Sequence, residues 1–216
     1  MNTLLIPKQN ISQYETVFDK IKLLNEAGLH LSIDKVNWPN EFPKSLPVTV
    51  HVAHDDEKIY LYYQIEGEEL RVINTHDFMS VWEDSCVEFF VQRKGEKLYR
   101  NFEFNAHGVL LASKRESKDS AEQLSIELMS SIERFTTINH VYRGRVQVSD
   151  WTLYAEIPKE AIGFSANEEL SQQTIGANFY KCGDETKEPH FISWNPIDTP
   201  QPNFHVPQFF GELIFE

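Results

Sequence analysis

The sequence predicts an all-β protein, an antiparallel β-sandwich of immunoglobulin or jelly-roll type with a short N-terminal helix. First, short segments that alternate apolar and polar residues recur from Val48 to the end of the chain. Second, the aromatic content is 12% and is dominated by 15 Phe, which suits β-structure. Third, long helical patterns are scarce, so the 216 residues, a length that fits one domain, accommodate at least eight short strands.

The N-terminal part differs from the rest. Residues 11–26 carry apolar side chains at helical spacing, and Gly28 follows as a stop signal. Three prolines between Pro39 and Pro47 indicate a loop. We therefore predict a helical extension over residues 1–40 that packs on a sandwich over residues 41–216.

The first two predicted strands are VTVHVAHD and KIYLYYQI, which are joined by a turn at Asp55 and Asp56. His51 and His54 both fall on the first strand. Residues three apart on a strand point to opposite faces, so these histidines are not expected to share a metal ion.

The densest β-forming segment is VWEDSCVEFFV, residues 81–91. On a strand, Val87, Phe89 and Val91 share one face, which we predict to be a core face. Glu88 lies on the opposite face, within an otherwise apolar run. A carboxylate in such a place needs a hydrogen-bond partner, a cation or a ligand.

Gly95 predicts a hairpin turn after this strand, and YRNFEFN follows it. If the two strands pair, Glu88 lies on one surface with the polar row Asn101, Glu103 and Asn105. Trp82 adds a flat apolar ring six residues before Glu88. A flat ring beside a carboxylate suits a sugar, because the ring stacks on the C–H face and the carboxylate accepts hydroxyl protons.

The remaining elements follow in order. Residues 109–112 are predicted as a strand, and the charged segment after them as a loop or the start of a short helix that reaches Met129. Residues 150–158 and 175–183 are predicted as strands, with Trp151 in the core. A proline-rich loop and a closing strand end the chain.

Composition excludes several function classes. The net charge of −13 argues against binding nucleic acid, since no basic field offsets the phosphate charge. No apolar run is long enough for a membrane span, and MNTLLIPKQN does not resemble a signal peptide, so a cytoplasmic location is expected. A leader ahead of this sequence would instead make the protein periplasmic or secreted.

The two cysteines, Cys86 and Cys182, allow one disulfide, but we predict reduced thiols. The sequence predicts no oligomeric state.

Five segments, in this order, resemble carbohydrate-binding module family 9-like domains: WEDSCVEFF, YRNFEFNAHG, NFYKCGD, SWNP and PNFHVPQFFG. The resemblance extends from Trp38 to Glu216. It implies a DOMON-like β-sandwich that binds carbohydrate, is associated with glycoside hydrolases and carbohydrate catabolism, and needs no cofactor. It further implies that a chain end of a plant-type glycan such as xylan is clamped between two tryptophans, and that structural calcium is present, although no calcium ligand can be assigned.

The resemblance also assigns positions. Trp82 matches the first clamp tryptophan and Glu88 a carboxylate that accepts sugar hydroxyls, while Phe204 stands where the second clamp tryptophan is expected. Glu103 replaces an arginine of the family site, and Tyr180 lies near the position of an amide side chain. Together with the polar row, this gives the predicted ligand-binding residues: Trp82, Glu88, Glu103, Asn105, Tyr180, Trp194 and Phe204. No catalytic residue is assigned.

Several alternatives stay open. Glu88 and Glu103 on adjacent strands could serve a hydrolase that acts on O-glycosyl bonds, which requires two carboxyl groups about 5 to 9.5 Å apart. A scaffold that keeps only a vestigial sugar site is a further possibility. Trp194 is an alternative to Phe204 as the second clamp residue and is equally compatible with an anchor in the core or in a loop, and Asn105 and Asn178 are compatible with bracing turns. His205 is interpreted as bonding a loop carbonyl, with a ligand contact as the alternative.

Overall fold

Two β-sheets packed face to face form the protein, as seen in a computed structural model that describes residues 4–216. The strands within these residues are β1 (Leu4–Ile6), β2 (Leu29–Ser32), β3 (Lys35–Val36), β4 (Val48–His54), β5 (Lys58–Glu68), β6 (Cys86–Arg93), β7 (Tyr99–Asn105), β8 (Leu110–Arg115), β9 (Glu122–Gln123), β10 (Glu133–Arg143), β11 (Val146–Pro158), β12 (Thr174–Gly183), β13 (His190–Ser193) and β14 (Gly211–Phe215). The helices are α1 (Val17–Ala27) and α2 (Ile126–Ser131), and short 3₁₀ turns occur at Ile11–Gln13, Val81–Glu83 and Pro207–Phe209.

The strand order explains the position of the site described below. The first sheet has the order β1-β14-β12-β6-β7-β8-β9, and β13 joins it by pairing with β12 and β3. The second sheet has the order β10-β11-β5-β4-β2. The pair β1–β14 is parallel, and the other pairs of described strands are antiparallel. The prediction of an all-β sandwich is confirmed.

The main core lies between the two sheets. Val87, Phe89 and Val91 point into it, as predicted from their alternation, and so does Trp151, which is 1% exposed. A second apolar cluster lies on the opposite face of the first sheet, where Phe90 packs beneath the C-terminal loop. Strands β6 and β12 are therefore buried on both faces, which explains why each carries apolar residues on both faces.

The N-terminal helix begins later than predicted. Thr16 caps it, because its hydroxyl accepts a hydrogen bond from the backbone N–H of Asp19 at 3.2 Å. The residues before 41 also provide three strands besides this helix. Of these, β1 and β3 pair within the first sheet and β2 within the second. Neither described helix is long and apolar enough to cross a membrane.

Strand β10 has no counterpart in the sequence-based prediction. It forms a long hairpin with β11 around Gly144, whose φ of 67° favours glycine. Most of its side chains are exposed or half-buried on both faces. Without a buried face, its sequence lacks the alternation of apolar and polar residues by which the other strands were predicted.

Candidate functional site

A cavity of about 330 Å³ opens on the outer face of the first sheet. Its floor is formed by three neighbouring strands, which contribute Cys182 from β12, Glu88 from β6 and Glu103 from β7. Trp82 and Phe204 line its walls. The cavity thus combines aromatic surface with carboxyl groups, and it brings together four of the seven predicted site residues.

The hairpin around Gly95 creates the carboxyl pair. In its register Glu88 lies directly opposite Glu103, and Cys86 lies opposite Asn105. Directly opposed residues on antiparallel strands point to the same face, with Cβ atoms about 4.5 to 5.5 Å apart. The predicted placement of Glu88 on one surface with the polar row is therefore confirmed.

Burial dominates the electrostatics of this pair. Glu88 and Glu103 are each 3% exposed. Burial raises the pKa of Glu103 to about 7, and the charge of Arg115 opposes this rise. Burial and the neighbouring charge of Glu103 raise the pKa of Glu88 well above its ordinary value. Both groups are thus pushed toward the protonated form, in which a carboxyl group donates as well as accepts a hydrogen bond.

One oxygen of the pair lacks a partner. Glu88 Oε1 accepts a hydrogen bond from Cys182 Sγ at 3.0 Å, and Glu103 Oε1 accepts one from Asn101 Nδ2 at 2.8 Å. Glu103 Oε2 is buried and has no hydrogen-bond partner among the described residues. Because an unsatisfied buried polar atom is costly, this oxygen is suited to a ligand that donates a hydrogen bond.

Trp82 lies in the 3₁₀ turn that precedes β6. Its side chain is half-buried and packs on the outer cluster, and its carbonyl accepts a hydrogen bond from the Asp184 N–H at 3.1 Å. Asp84, two residues after Trp82, is fully buried and accepts hydrogen bonds from the N–H groups of Ile73 and Asn74 at 3.1 and 3.0 Å. The loop that carries the indole is therefore held in place by hydrogen bonds to Asp84 and to the Trp82 carbonyl.

Asn105 belongs to this fixing arrangement and does not line the cavity. Its Nδ2 donates to Asp84 Oδ2 at 3.0 Å, and its Oδ1 accepts from the N–H groups of His107 and Val109, each at 3.1 Å. Asn178 has a similar structural role. Its Oδ1 accepts a hydrogen bond from the Asn195 N–H, and its Nδ2 donates one to the Asn195 carbonyl. Both amides brace turns, as in the alternative left open by the sequence.

Tyr180 and Trp194 also lie outside the cavity. Tyr180 is completely buried beneath Phe204, and its hydroxyl donates to the Phe204 carbonyl at 3.2 Å. Trp194 packs edge to face on Phe179, with 5.8 Å between centroids, and its indole lies against Gly211, where a Cβ would come within 2.6 Å of the ring. Of the two aromatic residues considered for the second clamp position, only Phe204 lines the cavity.

Sequence reasoning missed the basic side of the cavity. Arg115 lines it and donates from Nε to Asn101 Oδ1 at 3.0 Å. It follows Leu111 and Ser113 at alternate positions of β8, which is longer than the predicted strand. Extending the alternation by three residues would have identified Arg115. Lys118 and Asp119, from the charged segment predicted as a loop or helix start, also line the cavity.

His205 closes part of the cavity. Its Nδ1 lies 3.0 Å from the Tyr99 hydroxyl, and its ring contacts Phe90 at 5.0 Å between centroids. Burial, followed by the charge of Arg115, lowers the pKa of His205 to about 3. The imidazole is therefore neutral at physiological pH and forms a part of the cavity wall that can make hydrogen bonds.

The cavity floor contains a set of potential metal ligands. Among the side chains that the structure describes, Cys86, Glu88 and Cys182 form the one group of three such residues whose ligand atoms all lie within 4.8 Å of one another. Two of these atoms are sulfur, whereas calcium prefers six to eight oxygen ligands. The group does not fit the calcium implied by the resemblance, and calcium elsewhere stays an expectation.

Residues 18–215 match the family model described as carbohydrate-binding family 9. A search of curated proteins finds no match. A solved structure of a protein proposed to bind carbohydrate, from Bacteroides uniformis ATCC 8492, is 32% identical, with a TM-score of 0.85 over 100% of this chain and 98% of that chain.

Two further structures share the fold at 10% identity. Both are carbohydrate-binding modules of family 9 from Caldicellulosiruptor kristjanssonii, one in complex with glucose and one with cellotriose. The TM-scores are 0.60 and 0.57; this chain is covered completely, and the modules to 96% and 94%. Since the family model spans nearly the whole sequence, the chain belongs to carbohydrate-binding family 9.

Proposed function

We propose that this protein binds a sugar in the cavity on the outer face of the first sheet and does not cleave it. The observation that carries the proposal is the half-buried indole of Trp82 in the same cavity as Glu103 Oε2, a buried oxygen to which no residue in 4–216 donates a hydrogen bond. The indole offers an apolar face for the C–H groups of a pyranose, and the oxygen offers an acceptor for one hydroxyl. Family membership supports the same class of ligand.

The dimensions support a small ligand. Ligand cavities typically measure roughly 300 to 1,000 Å³, and this one, at about 330 Å³, lies at the lower end. One or two sugar rings suit such a volume better than the middle of a long chain. We therefore assign the cavity to the end of a plant-type glycan, and the two family 9 modules in complex with glucose and cellotriose make these sugars the first ones to test.

Trp82 is expected to contribute more to stacking than Phe204. Phe204 is only 8% exposed, and one face of its ring is covered by Tyr180. A base stacked on an aromatic side chain gains about 1 to 3 kcal/mol, and a pyranose on Trp82 should gain a similar amount. The loss of the indole should then weaken binding roughly fivefold to 150-fold.

Calorimetric titration with glucose, cellotriose and xylotriose tests the proposal. Binding to at least one of them is expected, together with a clear loss in Trp82→Ala. Tyr142→Ala is a suitable control because Tyr142 is 73% exposed and lies on β10 of the other sheet. If no sugar binds, or if Trp82→Ala binds as well as the control, the cavity is not a sugar site.

The alternative of a glycoside hydrolase rests on the juxtaposition of Glu88 and Glu103. Such an enzyme needs one protonated and one ionised carboxyl group, held apart in pKa by different environments. Here burial raises the pKa of both. Reducing-sugar release from a panel of aryl glycosides, abolished in Glu88→Gln, would revive the enzyme hypothesis; a panel without turnover would remove it.

A further inference from the structure

The two cysteines meet at the floor of the cavity. Cys86 on β6 and Cys182 on β12 are directly opposed in the antiparallel register. Cys182 Sγ lies 3.0 Å from Glu88 Oε1, and the two sulfur atoms and a Glu88 oxygen all lie within 4.8 Å of one another. Cys86 and Cys182 are free thiols, and all three side chains are buried.

These distances are close to those around a metal ion. A tetrahedral zinc ion binds sulfur at about 2.3 Å and carboxylate oxygen at about 2.0 to 2.2 Å, which places two donors roughly 3.5 to 3.8 Å apart. Small side-chain movements would bring the cluster to that size. Two thiolates and a carboxylate favour a thiophilic ion over calcium or magnesium, which prefer oxygen ligands alone. We propose that Cys86, Cys182 and Glu88 bind one thiophilic divalent cation, such as Zn²⁺ or Cd²⁺.

The cavity provides access to this site. Cys182 and Glu88 line it, so an ion reaches them from solvent without any rearrangement of the sheet. Three protein ligands leave one tetrahedral position for water or a ligand oxygen. Glu103, whose Oε2 lacks a partner among the described residues, and Asp184 line the same cavity and favour a cation there.

Two basic side chains, one in the cavity and one beside Cys182 in sequence, are hydrogen-bonded to other groups of the protein, while Lys118 also lines the cavity. Arg115 donates to Asn101 Oδ1 and to the Lys118 carbonyl. Lys181, which neighbours Cys182 in sequence, directs its amine to Glu68 and His190. The cation site goes beyond the proposed sugar binding and does not depend on it, because its test requires no sugar.

Cadmium titration of the metal-free full chain tests the proposal. We expect two reactive thiols per unfolded chain before metal is added, and a thiolate-to-cadmium charge-transfer band that saturates at one ion per chain. Zinc affinity is then measured by competition with a chromophoric chelator. Cys182→Ser should weaken zinc binding at least about a hundredfold and Glu88→Gln at least about tenfold, since even the loss of a group behind a ligand costs about tenfold to a hundredfold.

His30→Ala is the matched control, because His30 Nδ1 lies 3.2 Å from His51 Nε2 and forms another close pair of possible metal ligands, away from the cavity. The His30→Ala variant should leave the zinc affinity unchanged. A missing charge-transfer band in the wild-type chain overturns the proposal whether or not the cysteine variants fold. So does a disulfide in place of the two thiols, or a loss of binding in His30→Ala that matches the loss in Cys182→Ser.

Discussion

The ring of Tyr180 lies parallel to the ring of Phe204, with 4.0 Å between their centroids and 6° between their planes. Tyr180 belongs to β12, whereas Phe204 lies in the loop before the last strand. The Tyr180 hydroxyl also donates to the Phe204 carbonyl. Tyr180 therefore holds both the ring and the backbone of a cavity wall, although it does not line the cavity itself.

Replacing Tyr180 should separate these two contributions. Tyr180→Phe keeps the stacked ring and loses one hydrogen bond, which should lower the free energy of unfolding by about 1 kcal/mol. Tyr180→Ala also removes the ring from a fully buried position, at a cost of about 3 to 5 kcal/mol, and should weaken sugar binding because Phe204 loses its support. Urea denaturation and calorimetry measure the two effects. Equal stability of both variants would contradict a role for the stacking.

Asp84 should support Trp82 in a comparable way. Asp84→Ala leaves the N–H groups of Ile73 and Asn74 without their acceptor and removes one of the two acceptors of Asn105 Nδ2, and each donor left unsatisfied costs about 1 to 3 kcal/mol. We expect a loss of several kcal/mol in the free energy of unfolding and faster hydrogen exchange at Ile73 and Asn74. If exchange at these amides is unchanged, the loop is held by other contacts.

The buried pair of Glu68 and Lys181 joins the two sheets, with Lys181 Nζ 2.8 Å from Glu68 Oε1. Trp151 Nε1 donates to the other carboxylate oxygen at 2.7 Å. Lys181→Met leaves a buried carboxylate without its cation and should cost about 3 to 5 kcal/mol. Glu68→Gln with Lys181→Met should recover part of this loss, since no buried charge remains. Denaturation of the single and double variants measures the difference, and a double variant no more stable than Lys181→Met would refute this interpretation.

The placement of Glu88 beside Glu103 was predictable because it depends on local features. A strand period of two, a glycine turn and a short hairpin determine which side chains share a face. The core positions of Val87, Phe89 and Trp151 follow from the same rule. The period-two alternation was informative for the longer strands with a buried face, whereas the short strands β2 and β13, which also contain buried residues, were not predicted.

The rest of the site depends on contacts between residues far apart in the sequence. Tyr180 and Phe204 are 24 residues apart, and their stacking depends on the path of a proline-rich loop without a regular pattern. That path also excludes Trp194 from the cavity, by seating it against Gly211. Strand β10 was missed for a different reason. Its side chains are exposed or half-buried, and such a strand places little constraint on its sequence.

The stability of the protein should depend on pH through Glu103. Its pKa is raised from 4.5 to about 7 by burial, so the folded state retains a proton that the unfolded state loses. The contribution of this group to the free energy of unfolding is therefore full below pH about 4.5, and it declines as the pH rises to about 7. Titration of Glu88 should likewise lower the free energy of unfolding as the pH rises, because burial also raises the pKa of Glu88.

Glu103→Gln removes this titration, so the variant should lose less stability than the wild type when the pH is raised from about 5 to about 8. Urea denaturation at both pH values measures the two differences. Glu116→Gln, at an exposed position next to Arg115 in sequence, is the control and should behave as the wild type. An equal loss of stability in Glu103→Gln and in the wild type would mean that the buried carboxyl is ionised throughout this range, and that it already carries a charge when a ligand arrives.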